Sequence, residues 1–138
     1  MAGDLNDLAR FLRLTPDAIG RVVGPALFVA GKRVETAAQI SITEGAISGA
    51  GHVPSVAPNA PNNDNGVLAN NIETVQINQL KVEVSSNAPY AAAQEFGTSR
   101  LAARPYMAPA ANKERGNAEK IVQRAVKQAV RNASRGLR

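Results

Sequence analysis

The chain has no cysteine, no tryptophan, one histidine, and only three Phe and two Tyr among 138 residues. Without cysteine there is no disulfide framework, no thiolate metal site and no Cys nucleophile. One histidine, His52, excludes a multi-histidine metal site within one chain. The longest apolar run, Val22 to Gly31, contains Pro25 and falls far short of the roughly 20 residues that a membrane-spanning helix needs. The first residues, Met1 to Asp7, lack the basic-then-apolar order of a signal peptide. The expectation is a protein made in a cytoplasm, with no membrane partner. Catalytic signatures are missing too. No G-x-S-x-G elbow occurs. Gly31-Lys32 lacks the earlier glycine of a phosphate loop and carries Arg33 where Ser or Thr belongs. Ser48-Gly49-Ala50-Gly51 holds no dinucleotide fingerprint. His52 sits in a Gly/Pro-rich stretch and reads as a solvated or interface side chain. No enzyme activity, cofactor or metal is expected.

The length predicts one domain spanning 1–138. Its core should be thin, because 25 of the hydrophobic residues are alanine, against 9 Leu, 7 Ile and 13 Val. Such a chain is expected to gain stability or order from assembly. The net charge of +5 is unevenly spread: residues 113–138 hold 8 Lys/Arg against 2 Asp/Glu, while residues 1–112 hold 8 against 9. The basicity therefore belongs to the C-terminal segment.

Hydrophobic spacing predicts the elements. Leu5, Leu8, Phe11 and Leu12 mark a short helix over 4–14. Thr15-Pro16-Asp17 reads as a restart, since Thr caps, Pro suits the first helical position and Asp suits the positive end of the dipole. A long helix over 16–43 follows, with a stripe of Ile19, Val22, Val23, Ala26, Ala30, Val34 and Ala37. Pro25 is expected to kink or divide it. Residues 45–66 hold four Gly, three Pro and four Asn and read as an extended loop. It is either a surface loop or an arm that orders against a neighbouring subunit. Residues 70–86 predict a hairpin, because Leu80, Val82 and Val84 alternate with polar residues. A two-residue turn at Asn78-Gln79 would pair Ile77 with Leu80 and Val75 with Val82.

A short helix is expected over 90–96, then an extended connection, then a basic C-terminal helix over 110–134 and its tail to 138. Lys120, Arg124, Lys127 and Arg131 fall on one face of that last helix. They read as a solvated face, a contact for an acidic protein, or a contact for DNA phosphates. Glu95 is expected to pair with Arg100 or Arg104; an approach of Glu83 to Glu95 is the alternative. Phe96 and Tyr106 read as core or interface anchors. Gly97 permits unusual backbone geometry, and Pro105 fixes an extended link and restricts Arg104 before it.

The run Tyr90-Ala91, Glu95-Phe96-Gly97-Thr98-Ser99, Ala103-Arg104-Pro105-Tyr106-Met107 and Pro109-Ala110 resembles the small neck, or tail-completion, proteins of long-tailed bacteriophages and prophages. Their pattern is approximately Y-A-x-x-x-E-F-G-T, a short spacer, then A-R-P-F and P-A before a final helix. Pro54-Ser55 and Asp64-Asn65-Gly66-Val67-Leu68, followed by Ile72, are similar to that family's entry to its hairpin, with Asn71 in place of the usual Ser.

The resemblance implies an α+β fold, with a long N-terminal helix and a C-terminal helix packed on a small antiparallel sheet. It also implies a non-enzymatic virion component. Copies would form a homo-oligomeric ring, sixfold or twelvefold, at the head–tail junction. The ring would join the connector to tail proteins and continue the DNA channel; the basic C-terminal helix itself is the candidate for non-specific contact with genomic DNA there. The family motif residues Tyr90, Glu95, Phe96, Gly97, Thr98, Arg104, Pro105, Tyr106 and Pro109 would serve packing or the interface. Three other readings stay open: a tail-terminator layer capping the tail tube, a small DNA-binding accessory protein using the basic helix, and an enzyme whose site assembles between subunits around His52.

Overall fold

A computed structural model describes residues 5–44, 51–62 and 66–135, with backbone alone for residues 7, 8 and 10–15. The element order is α1 (Leu5–Thr43), α2 (Val67–Asn70), β1 (Ile72–Asn78), β2 (Lys81–Ser86), α3 (Ala91–Phe96) and α4 (Met107–Arg135). Two long helices pack on a two-stranded antiparallel sheet, an α+β arrangement. Helix α4 starts beside the C-terminal end of α1, where Ile42 and Ala38 share a cluster with Tyr106 and Ala110. It then runs back along α1, and an Arg33–Glu114 ion pair at 2.9 Å ties the two. Hydrogen bonds from Asn117 and Arg33 hold the Glu114 carboxyl below its ordinary pKa.

Helix α1 differs from expectation. It is one helix of 39 residues with Pro16 and Pro25 inside it, so the break at Thr15-Pro16 and the division at Pro25 do not occur. Both prolines are exposed, as is Arg21, whose carbonyl loses its helical donor at Pro25. Water can serve that carbonyl, so the donor loss falls where it costs least. Most of the expected N-terminal stripe (Leu8, Phe11, Leu12) and the Thr15 side chain lie outside the described residues. The predicted stripe further on is buried or half-buried, with Val23 and Ala30 fully inside.

Three glycines of α1 seat the hairpin. A methyl group at Gly24 would stand 2.8 Å from the carbonyl oxygen of Gln79, and one at Gly31 would stand 2.6 Å from Thr74 Cγ2 and 2.8 Å from Val82 Cγ1. Gly20 likewise faces the Gln79 side chain. The buried Glu35 adds a polar tie. It accepts from Lys32 Nζ at 2.7 Å and from Thr74 Oγ1 at 2.7 Å. Burial would raise this carboxyl, but the two hydrogen bonds outweigh it and hold the pKa below its ordinary value.

The hairpin forms where expected, but in another register. Thr74 faces Val84, Val75 faces Glu83 and Gln76 faces Val82, with an irregularity between Gln76 and Asn78. The expected Val75–Val82 and Ile77–Leu80 pairs do not form. The cause lies in Asn78, whose Oδ1 accepts the Leu80 amide at 3.0 Å. That Asx turn places Asn78 before the turn rather than inside it. A one-residue slip reverses the face of one strand against the other. Thr74, Val82 and Val84 therefore meet α1, while Val75, Ile77 and Leu80 remain 40%, 50% and 55% exposed.

The core is thin. Among the described residues Tyr106 and Ile42 are its largest fully buried side chains, and alanines 38, 69, 88, 91 and 110 fill much of the rest. Of the expected loop 45–66, residues 45–50 and 63–65 lie outside the described residues, as does the tail 136–138. Residues 51–62 contain no strand and no α-helix. Ala60 packs on the core, Asn62 Nδ2 donates to the Val53 carbonyl at 2.7 Å, and Val53 and Val56 are exposed. No helix of the described residues is long and apolar enough to cross a membrane.

Candidate functional site

The residues of the Tyr90–Pro109 stretch converge on the corner between α3 and α4. Helix α3 ends at Phe96, and Gly97 leaves it at φ +75°. A Cβ there would lie 2.8 Å from the Leu101 carbonyl oxygen and 2.9 Å from the Ala103 amide nitrogen, so glycine is required twice over. Thr98 shapes the return. Its amide donates to the Leu101 carbonyl at 2.8 Å, and its hydroxyl accepts from the amides of Arg100 and Leu101. The Arg104 amide then donates to the Gln94 carbonyl at 2.7 Å. Pro105 follows, and the chain enters α4 at Met107, three residues before the expected start.

Glu95 closes the corner. Its Oε2 accepts the amides of Tyr106 and Met107 at 2.8 and 3.0 Å, and its Oε1 accepts that of Ala108 at 2.9 Å. The first four amides of a helix have no partner within it. Here the carboxylate takes three, and the next residue, Pro109, has no amide to satisfy. The negative charge also sits at the positive end of the α4 dipole. This corrects the expected ion pair: among the described residues Glu95 pairs with neither Arg100 nor Arg104. Glu83 lies on the outer face of the hairpin, exposed opposite Val75.

The two aromatic anchors take opposite places. Tyr106 is 1% exposed, and burial pushes its hydroxyl pKa up. The nearby Glu95 charge raises it further, against a lowering contribution from Ser86. Phe96, by contrast, is 81% exposed, so it is no part of the core. At about 100° per residue it stands about 140° around α3 from the buried Ala91. Tyr90 precedes α3 and is 40% exposed.

Beside Phe96 lies an open groove of about 620 Å³, walled by Val34, Val84, Ala91, Met107 and Ala111, with Tyr106 also lining it. The β2 residues Val84 to Ser86 run along it. Its polar groups are few, which suits an apolar occupant rather than a reacting small molecule. His52 is half-buried in the segment 51–62 and does not line this groove. No group of three or more His, Asp or Glu side chains that could hold a metal occurs among the described residues.

Lys120, Arg124, Lys127 and Arg131 are all exposed, well along α4 from this corner. Sequence reasoning missed two contributors: Glu35, and the helix-capping role of Glu95. A carboxylate one residue from the Val34 stripe position was the available sign for the first. For the second, only a Glu shortly before a Pro-containing helix start pointed the way. No protein-family model, curated protein or solved structure matches this chain.

Proposed function

We propose that the chain is a non-enzymatic structural subunit of a phage virion, forming a ring at the head–tail junction that joins the connector to the tail and continues the DNA channel. The motif resemblance suggests the place. The observation that carries the assembly is the groove at the α3–α4 corner with Phe96 standing 81% exposed at its rim. A stable monomer rarely leaves a large aromatic beside an open apolar groove. A second apolar surface lies on the hairpin, with Val75 and Ile77 exposed on its outer face and Leu80 exposed at its turn. The two surfaces differ in shape and composition. Contact between unlike patches is heterologous, the kind of contact that makes a ring where the rotation closes and an open filament where it does not. A rigid aromatic entering a partner is also a common interface anchor.

Two experiments test this. Sedimentation of the purified chain should show a ring, and Phe96→Ser should leave a monomer of unchanged melting temperature. A wild-type chain that stays monomeric at every concentration, alone and with its neighbouring virion proteins, defeats the assembly reading. Deletion of the gene from its parent phage should leave separate heads and tails in negative-stain micrographs. Normal infectious particles from that deletion defeat the functional reading.

A further inference from the structure

Helix α4 carries a second surface, unconnected to the groove. At about 100° per residue, Lys113, Lys120, Arg124, Lys127, Arg131 and Arg135 fall within one stripe about 80° wide, and all six are exposed. From end to end the stripe runs about 33 Å at the helical rise. It lies opposite Ala129, which is fully buried against the body of the protein. No acidic residue interrupts it. Glu114 borders only the first turn of the stripe, where it is bonded to Arg33 and Asn117 and faces the charge of Lys113, and Glu119 sits on another face of the helix. None of the six cations forms an ion pair among the described residues.

We infer that this stripe binds the sugar–phosphate backbone of duplex nucleic acid without regard to sequence. The inference deepens the ring reading, and rests on it for turning the stripe toward the channel. Two observations favour a polyphosphate over an acidic protein. A protein interface needs a desolvated apolar centre, and the stripe has none: its intervening positions are Gly116 and Asn117, and the exposed Val126 and Val130 lie to one side. Phosphate neutralisation needs only charge at the right spacing. The stripe is also about as long as one turn of B-form DNA, roughly 34 Å, so laid along a duplex it crosses the phosphate backbones of both strands within its length. No aromatic lies in the stripe, which leaves base stacking on single strands without a platform.

The test uses the full chain and a fluorescein-labelled 30-base-pair duplex of mixed sequence, followed by anisotropy between 50 and 200 mM salt. Engagement of four to six phosphates predicts a slope of log K against log salt of about −4 to −5. The variant K120Q/R124Q/K127Q/R131Q replaces exposed residues with another good helix former, so the fold is kept, and circular dichroism checks that. It should weaken binding by about 100-fold at 50 mM salt and flatten the slope by about 4. Arg21→Gln, which removes an exposed cation of α1, should change neither.

Equal binding by the quadruple variant, or no binding by the wild type at 50 mM salt, overturns the inference. So does equally tight binding of poly-glutamate, which would point to an acidic protein. Sedimentation of the same samples separates the two readings. A monomer that binds duplex through the stripe refutes the ring alone, and a ring that ignores duplex refutes the stripe alone.

Discussion

Replacing Glu95 is the sharpest test of how the corner is built. The carboxylate holds three amides at 2.8 to 3.0 Å. Loss of an ordinary N-cap costs about 0.5 to 2 kcal/mol. Here one charged group serves three donors, and hydrogen bonds to charged groups contribute about 1.5 to 3 kcal/mol each before the losses shared among them. In Glu95→Ala, water can reach the partly exposed Ala108 amide but not all of the Tyr106 amide beneath the corner. The expected loss is about 2 to 4 kcal/mol. For a chain of this size that lowers the melting temperature by roughly 8 to 16 °C.

Glu95→Gln keeps the length but loses the charge and turns an NH2 group toward one amide, so it should recover little. Glu95→Asp is one methylene too short to span from α3. Differential scanning calorimetry gives the stability. A second readout is specific to the contact: the Glu95 charge helps hold the Tyr106 phenol above its ordinary pKa. Ultraviolet titration of Glu95→Gln should therefore show Tyr106 moved part of the way back, with burial still holding it high. A loss below about 0.5 kcal/mol with an unmoved tyrosine titration would refute the capping argument.

Glycine substitutions in the two long helices should act in opposite directions. Gly31→Ala drives a methyl group into Thr74 and Val82 and should cost about 1 to 3 kcal/mol by chemical denaturation. Gly116→Ala meets nothing within 4 Å and should stabilise by about 0.5 to 1 kcal/mol. Glu35 predicts an acid dependence. Its folded pKa lies below its unfolded value, so the unfolded chain binds the proton first. Its contribution is complete above the unfolded pKa of about 4.3, and it disappears as the pH falls through the folded value. Denaturation of Glu35→Gln between pH 7 and 2.5 should show a shallower acid limb than the wild type; parallel limbs would contradict the assignment.

What the sequence revealed depended on the range of the physics involved. Helical and strand periods are local, so both long helices, the hairpin and the short helix before Gly97 were legible from spacing. The hairpin register was not, because hydrophobic alternation in Val75–Val84 fits two pairings and the side chain of Asn78 decides between them. The continuity of α1 was hidden for another reason: proline carries a strong local penalty, while the packing that overrides it comes from α4 and the hairpin. Phe96 and Tyr106 looked alike as aromatic anchors. Their separation, one buried and one bare, follows from the direction in which the Gly97 turn sends the chain. The cations of α4 were legible as a stripe, since an exposed face needs no tertiary context, but nothing local says what they meet.

The glycines beneath the hairpin carry a consequence for how the chain acquires its shape. Three glycines and two prolines inside α1 penalise that helix by roughly 9 kcal/mol relative to an all-alanine counterpart. Alone, the segment is a poor helix, and a peptide spanning residues 16–44 should be largely coil by circular dichroism. The conformation is viable only once β1, β2 and α4 lie against it. The longest element of the protein is thus held in shape by partners that are distant in the chain. Its helicity is therefore expected to be lost together with the docking of the sheet, in one unfolding transition.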